Sequence, residues 1–173
     1  MTNKNKKSGF TLVEVVLILI MISIGLTAIT SLALKSASLN NEKRNMFNSI
    51  FLTEEGLEIM ANIRDTNIIV NNKYNDWEMT SNPPGVNEQN FYKVAFNTSN
   101  VTPINKIDEA PLWLDSSNFY SHNTSNTVTP FTRLIMVRTY DDYYSEITSW
   151  VRWIGKGENY DFRLVTNLYD LSF

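Results

Sequence analysis

Few side chains in the sequence are suited to catalysis. His122 is the only histidine in the chain, and it lies in a polar stretch between Ser121 and Asn123. Acid–base or nucleophilic catalysis needs a second group, such as a nucleophile beside a base or two carboxylates in one pocket. The sequence near His122 supplies no such group. We therefore expect His122 to be a surface residue and the chain not to be an enzyme.

The residues that commonly bind metals are also sparse. Cysteine is absent, which excludes disulfides, thiolate chemistry and cysteine-type zinc sites. Asp108-Glu109 and Asp141-Asp142 are acidic pairs, but their neighbours lack the alternating oxygen ligands and the glycine of an EF-hand loop. We expect solvated turns at both pairs, with no metal and no cofactor bound.

Glu14 is the one acidic residue in an unusual position. It directly precedes 20 uncharged residues, Val15 to Leu34, that are rich in Ile, Leu and Val. A carboxylate at the centre of a bilayer costs about 2.5–3.5 kcal/mol, so such a residue is usually paired or functional. At the membrane interface a lone acid costs little. The residues around Glu14 must decide between these two interpretations.

The run from Val15 to Leu34 has the roughly 20 residues that a helix needs to cross a bilayer core. Lys4, Lys6 and Lys7 precede it, and the positive-inside tendency then places the N-terminus in the cytoplasm and the rest of the chain outside. A secretory signal is the alternative, but its apolar region is shorter. We expect a retained membrane helix. The net charge of −3 argues against nucleic acid as a partner.

The residues around Glu14 read Lys6-Lys-Ser-Gly-Phe-Thr-Leu-Val-Glu14, and with the apolar run they resemble the type IV prepilin cleavage and methylation motif. The resemblance implies that a prepilin peptidase cuts between Gly9 and Phe10, removes the leader at residues 1–9 and methylates the new amino group of Phe10. It also implies that Glu14 pairs with the amino terminus of a neighbouring pilin subunit. Each charge then offsets the other's desolvation in the apolar surroundings.

The resemblance also implies an α+β fold, in which a long N-terminal helix packs against a small antiparallel sheet. We expect residues 10–34 to form the membrane and assembly half of this helix and residues 35–65 its amphipathic second half. The head then comprises residues 66–173. The predicted helix has 56 residues, or about 84 Å at 1.5 Å per residue.

The second half of the helix shows apolar residues at steps of three and four. We expect this stripe to be the core face rather than a ligand-binding face. Gly56 lies within the pattern, and it marks either a bend or close packing against the sheet. The predicted core face is Met46, Phe47, Ile50, Phe51, Leu57, Met60 and Ala61, and the predicted solvent face is Glu42, Lys43, Arg44, Glu54, Glu55, Glu58 and Arg64.

The head divides into a variable loop region at 66–130 and an antiparallel sheet at 131–173. Asn, Asp, Pro and Gly at 71–77 and 81–85 predict turns, and residues 91–96 form one strand candidate. Residues 131–140, 147–154 and 161–168 are rich in β-branched and aromatic residues and predict three antiparallel strands. Trp150 and Trp153 fall on opposite faces of one strand. We expect one in the core and the other exposed as a candidate binding contact.

These expectations combine into a structural subunit, a minor pilin of a type IV pilus or a related filament. Its expected partners are other pilin subunits, the prepilin peptidase, the pilus assembly platform and membrane lipid. It begins as a single-pass membrane protein with its head outside the cytoplasm and ends in a cell-surface filament. The alternatives are a pseudopilin of a type II secretion or competence system and a membrane-anchored extracellular binding domain that does not polymerise.

Overall fold

The computed structural model describes Gly9 and residues 11–71, 88–98, 101–140 and 144–170. Helix α1 spans Leu12–Asn71, a length of 60 residues. It ends six residues beyond the predicted end at Asp65. The turns predicted within 72–77 and 81–85 lie outside the described residues, as does the Asp141-Asp142 pair.

The rest of the described chain forms one antiparallel sheet. Its long strand β5 pairs with β6 along one edge and with β1 and β3 along the other, and β2, β4 and β7 complete it. A 3-10 turn, Ile107–Glu109, precedes β3. The strands are β1 Gln89–Lys93, β2 Thr102–Ile104, β3 Pro111–Leu114, β4 Tyr120–Ser121, β5 Thr127–Thr139, β6 Tyr144–Gly155 and β7 Glu158–Tyr169. The α+β prediction is confirmed.

The three predicted C-terminal strands are present as β5, β6 and β7, and each is longer than predicted. The β6 and β7 strands join through the two residues Lys156 and Gly157, which both adopt positive φ angles, 51° and 81°. A two-residue turn with both φ angles positive has the twist that an antiparallel hairpin requires. Of the strand predicted at 91–96, residues 91–93 lie in β1.

The chain forms two compact units, Met1–Lys43 and Arg44–Phe173. In the second unit the C-terminal part of α1 packs on the sheet, and two apolar clusters fill the space between them. One cluster contains Met60, Ile63 and Ile135, and the other contains Leu52 and Val151. Both clusters combine side chains of α1 and of the sheet, so the helix is part of the head's core.

The helix face that enters this core is only partly the predicted one. Met60 is fully buried as predicted, but Met46, Phe47 and Phe51 are 50%, 60% and 65% exposed. Small and polar side chains take their place, because a helix can approach a sheet closely only where its side chains are short. The buried helix positions are Ser49, Leu52, Thr53, Gly56, Met60, Ile63 and Asn67.

Gly56 marks the closest part of this approach. A Cβ atom at Gly56 would lie 2.5 Å from Ser149 Oγ, 3.0 Å from Ile135 Cδ1 and 3.2 Å from Arg133 Cδ. Real Cβ atoms almost never come within 3.0 Å of another heavy atom. Of the two interpretations of Gly56, close packing against the sheet is therefore confirmed.

Candidate processing and assembly site at the N-terminus

Helix α1 begins with a side-chain cap. The Glu14 N–H donates to Thr11 Oγ1 at 3.3 Å, and the Val15 N–H donates to the Thr11 carbonyl at 3.2 Å. Thr11 is thus the N-cap residue, because its side chain satisfies an N–H group that has no partner within the helix. Thr11 and Glu14 have the spacing of a capping box, Thr-x-x-Glu. The sequence contains this pattern, but we did not predict a role for Thr11.

Two of the three predicted site residues are described in the structure. Gly9 is exposed and outside α1, and beyond its two chain neighbours no atom of the described residues would lie within 4 Å of a Cβ atom at this position. Glu14 is exposed in the first turn of α1. Phe10 lies outside the described residues. Because Gly9 and Glu14 are both exposed, a partner protein can reach either residue. Their roles in cleavage and assembly remain predictions.

The helix that follows is long and apolar enough to cross a membrane. This candidate span lies in Leu12–Val70, near the N-terminus, and its most apolar stretch has no buried residue. Its hydroxyl groups do not interrupt the apolar surface, because they donate to backbone carbonyls one turn earlier: Ser23 to Leu19, Thr27 to Ile24, Thr30 to Leu26 and Ser31 to Thr27, at 2.7–2.9 Å. A hydroxyl bonded in this way can enter hydrocarbon without an unsatisfied donor.

The head contains a buried charge that the sequence analysis missed. The side chain of Arg133, on β5, is fully buried, and its Nη1 lies 2.6 Å from Glu55 Oε2 and 3.0 Å from the Leu52 carbonyl. Its Nη2 donates to the Val94 carbonyl at 2.8 Å. Burial lowers the pKa of Arg133 below its usual value, and the carboxylate of Glu55 opposes that shift. Arg133 therefore ties α1 to the sheet.

This contact also corrects the prediction that Glu55 belongs to the solvent face, since its side chain is only 31% exposed. A basic residue directly before the apolar run Leu134–Val137 was the available signal for a buried charge. Charged side chains are almost never fully buried unless they are paired.

His122 is partly buried, which contradicts the surface position that we predicted. Its Nδ1 lies 2.8 Å from the Pro111 carbonyl and its Nε2 lies 2.9 Å from the Val94 carbonyl. Burial lowers the pKa of His122 below its ordinary value; the two carbonyl contacts oppose this shift, and the charges of Arg133 and Lys93 add to it. The ring links the end of β1 to the start of β3, which is a structural role.

The tryptophan prediction is correct for one residue. Trp153 is buried and stacks on Tyr160, with 5.6 Å between the ring centroids. Trp150 is half-buried rather than exposed, and guanidinium carbons of Arg163 and Arg152 lie 3.9 and 4.9 Å from its ring centroid. The arginines cover the indole that we expected to be a binding contact.

The acidic residues of the head do not form a metal site among the described residues, where no group of three histidine or acidic side chains is close enough to hold an ion. In the Asp108-Glu109 pair, Glu109 accepts from the Asn105 N–H at 3.0 Å, and Asp108 lies 3.7 Å from Arg152. A shallow groove of about 240 Å³ runs beside α1, lined in part by Phe51, Glu55 and Phe119.

Comparison with known proteins places a recognised motif at the N-terminus. A family model described as the prokaryotic N-terminal methylation motif matches residues 4–30. This range includes the Gly9-Phe10 pair, the Thr11 cap, Glu14 and the first part of the apolar helix. Searches of curated proteins and of solved structures return no significant match.

The matched motif belongs to proteins whose role is structural rather than catalytic. An N-terminal apolar helix directly after such a motif indicates a membrane-anchored protein. The helix then continues into a head in which it packs on an antiparallel sheet of seven strands. This motif and this fold together support a type IV pilin-like protein.

Proposed function

We propose that the chain is a structural subunit, a minor pilin, of a type IV pilus or a related filament. A prepilin peptidase cuts after Gly9 and methylates Phe10, and the assembly platform then moves the subunit from the membrane into the filament. Glu14 pairs with the amino terminus of a neighbouring subunit. The observation that carries this proposal is the methylation motif at residues 4–30, placed directly on an exposed apolar helix.

The geometry around Glu14 supports its place in this scheme. Its backbone N–H is used by the Thr11 cap, whereas its carboxylate lies on the exposed surface of α1. A carboxylate beside an apolar helix surface is costly once that surface is surrounded by hydrocarbon. An amino group of a second subunit would remove most of this cost by charge pairing. The pairing would make the position of one subunit depend on the other.

A glycine substitution tests the cleavage step. We expect Gly9→Val to leave a full-length precursor in the membrane, because a peptidase must approach the backbone closely and the glycine leaves that space open. Gly25→Val is the matched control, since Gly25 is also free of neighbours within 4 Å but lies within the apolar helix. Mass spectrometry of the membrane fraction gives the N-terminus of each variant. Normal cleavage of Gly9→Val would refute the proposed site.

Two substitutions at Glu14 separate charge pairing from helix capping. We expect Glu14→Ala and Glu14→Gln both to be cleaved and both to be missing from sheared filaments. Glutamine can replace glutamate in a capping box but carries no charge, so a capping role alone would leave Glu14→Gln normal. Glu54→Ala, which removes another exposed carboxylate of α1, is the control. Normal incorporation of Glu14→Ala would show that Glu14 has no part in assembly.

A further inference from the structure

The hydroxyl of Thr11 determines where α1 begins. It accepts from the Glu14 N–H at 3.3 Å, while the Thr11 carbonyl accepts from the Val15 N–H at 3.2 Å, and the helix starts at Leu12. These two hydrogen bonds are those of an N-cap residue, whose backbone is itself not helical. Residues before an N-cap lie outside the helix. Thr11 therefore separates Gly9 from the helix that follows.

A peptide bond inside a helix is a poor protease substrate. Its backbone groups are engaged in hydrogen bonds between turns, and it must leave the helix before it can lie extended in an active site. Gly9 is exposed and outside α1, and apart from its chain neighbours no atom in the described part of the chain lies within 4 Å of its Cβ position. The chain thus presents this glycine with room for an enzyme on the N-terminal side of the cap.

Without Thr11, the residue types allow a different helix start. Ser8 is the nearest preceding residue whose side chain is suited to an N-cap. A helix capped by Ser8 would begin at Gly9 and would place the Gly9–Phe10 bond within its first turn. Neither glycine nor phenylalanine excludes the first turn of a helix.

We propose that Thr11 is a positioning residue for removal of the leader: its hydroxyl fixes the helix start after the Gly9–Phe10 bond and so keeps that bond available to the peptidase. This inference rests on the proposed cleavage after Gly9. It assigns Thr11 no contact with the reacting atoms. Thr11 acts through the position at which the helix begins, and any residue with a capping hydroxyl can replace it.

The test measures cleavage of the full-length chain in membranes that contain a prepilin peptidase, by the loss of precursor with time. Thr11→Val keeps the shape of threonine without the hydroxyl, and we expect it to be cleaved about fivefold more slowly, the factor that corresponds to a typical lost N-cap. Thr11→Ser keeps the hydroxyl and should be cleaved at the wild-type rate. Ser8→Ala alone should also match the wild type.

The double variant with Ser8→Ala and Thr11→Val gives the decisive comparison. It removes the alternative cap, so we expect its cleavage rate to rise back towards that of the wild type. In detergent micelles without peptidase, the Cα chemical shift of Gly9 should move to a helical value in Thr11→Val and return in the double variant. This readout would not change if valine merely disturbed contact with the peptidase.

The outcomes distinguish failure of this inference from failure of the proposed function. A wild-type chain that is never cleaved overturns both. A wild-type chain that is cleaved, with Thr11→Val cleaved equally fast or Thr11→Ser as slow as Thr11→Val, overturns only the role of the Thr11 hydroxyl. An unchanged Gly9 chemical shift in Thr11→Val also overturns it, whatever the cleavage rates.

Discussion

His122 is the residue whose protonation should be visible in the stability of the head. Its pKa is lowered, with burial as the main cause, so the folded chain binds a proton less readily than the unfolded chain does. Above the histidine pKa of the unfolded state, about 6.5, the ring is neutral in both the folded and the unfolded chain. The head then has its full stability. As the pH falls through this value, the unfolded state gains a proton first, and folding becomes less favourable.

We therefore expect the full-length chain in detergent to have a lower urea midpoint at about pH 5.5 than at about pH 7.5, on either side of the ordinary histidine pKa. The chain has one histidine, so His122→Gln should remove this difference. Asn97→Gln, in an exposed turn, should retain it. A higher midpoint at the lower pH would mean that an imidazolium donating to both the Pro111 and Val94 carbonyls outweighs burial.

The Arg133–Glu55 pair predicts that the effect of one residue on the stability of the fold depends strongly on the presence of the other. Removing the partner of a buried charge leaves it uncompensated, which typically costs about 3–5 kcal/mol, and the partial exposure of Glu55 reduces this cost by solvent screening. We expect Glu55→Ala to lower the free energy of unfolding by about 1–3 kcal/mol. Tryptophan fluorescence during urea unfolding measures it, because all four tryptophans lie in the head.

Glu55→Ala should lower the free energy of unfolding much less in an Arg133→Met background, since no buried charge then remains to be neutralised. The double-mutant cycle isolates this coupling. Glu54→Ala removes the neighbouring exposed carboxylate and should change the free energy of unfolding by less than about 0.5 kcal/mol. Equal costs of Glu55→Ala in both backgrounds would mean that the pair contributes nothing beyond packing.

At the scale of the elements, the contact between α1 and the sheet depends on Gly56. Glycine to alanine in an exposed helix normally stabilises by about 1 kcal/mol. Here we expect the reverse, a loss of about 1–3 kcal/mol, because the new Cβ would lie 2.5 Å from Ser149 Oγ and 3.0 Å from Ile135 Cδ1. Chemical unfolding of the full-length chain measures the loss.

Two further variants test this explanation. Adding Ser149→Ala removes the nearest atom and should restore part of the lost stability. Gly25→Ala, which adds a Cβ with no neighbour within 4 Å, should leave the unfolding midpoint of the head unchanged. If Gly56→Ala alone stabilises the head, the helix and sheet have room to separate slightly, and the close approach is not required for the fold.

The strands that could be predicted are the long ones. β5, β6 and β7 are 12 or 13 residues each, so their β-branched and aromatic residues form a clear pattern. The shortest strand, β4, has two residues, and prolines lie in β2 and β3. Such short segments show no alternation of apolar and polar residues. They become strands through pairing with distant residues of β1, β3 and β5, which a local pattern does not encode.

The helix was predictable in extent, but its buried face was predictable only in part. Apolar periodicity favours Phe47 and Phe51 for the core, whereas the structure buries Ser49, Thr53 and Gly56. Hydrophobicity reports the free energy of burial, but the closeness of a helix to a sheet is set by side-chain size. The N-terminal site differs: Gly9 and Glu14 belong to a continuous local motif, so the roles predicted for them depend on no long-range contact.

For the whole molecule, the two compact units share one property, an exposed apolar surface on α1. In the first unit it is the stretch suited to a membrane, and in the second it includes Phe47 and Phe51, which are 60% and 65% exposed. Burial of a phenylalanine side chain is worth about 1.5–3 kcal/mol. The single chain does not gain most of this free energy at either residue, and in the proposed filament we expect a neighbouring subunit to gain it.

The exposed phenylalanines give a prediction that separates folding of the chain from its assembly into filaments. The double variant with Phe47→Ser and Phe51→Ser should change the free energy of unfolding by less than about 1 kcal/mol, as surface substitutions do. Leu52→Ala, one residue along the helix and buried against Val151 in the same cluster, should cost about 2–5 kcal/mol. Urea unfolding in detergent compares the two variants.

In cells, we expect the double phenylalanine variant to be made and cleaved normally but to be depleted from sheared filaments, because its exposed surface no longer offers apolar area to a neighbour. Glu54→Ser, an exposed polar position on the same helix, should be incorporated like the wild type. A large loss of stability in the double variant would place Phe47 and Phe51 in the chain's own core. Normal stability with normal incorporation would instead make this face of α1 ordinary surface.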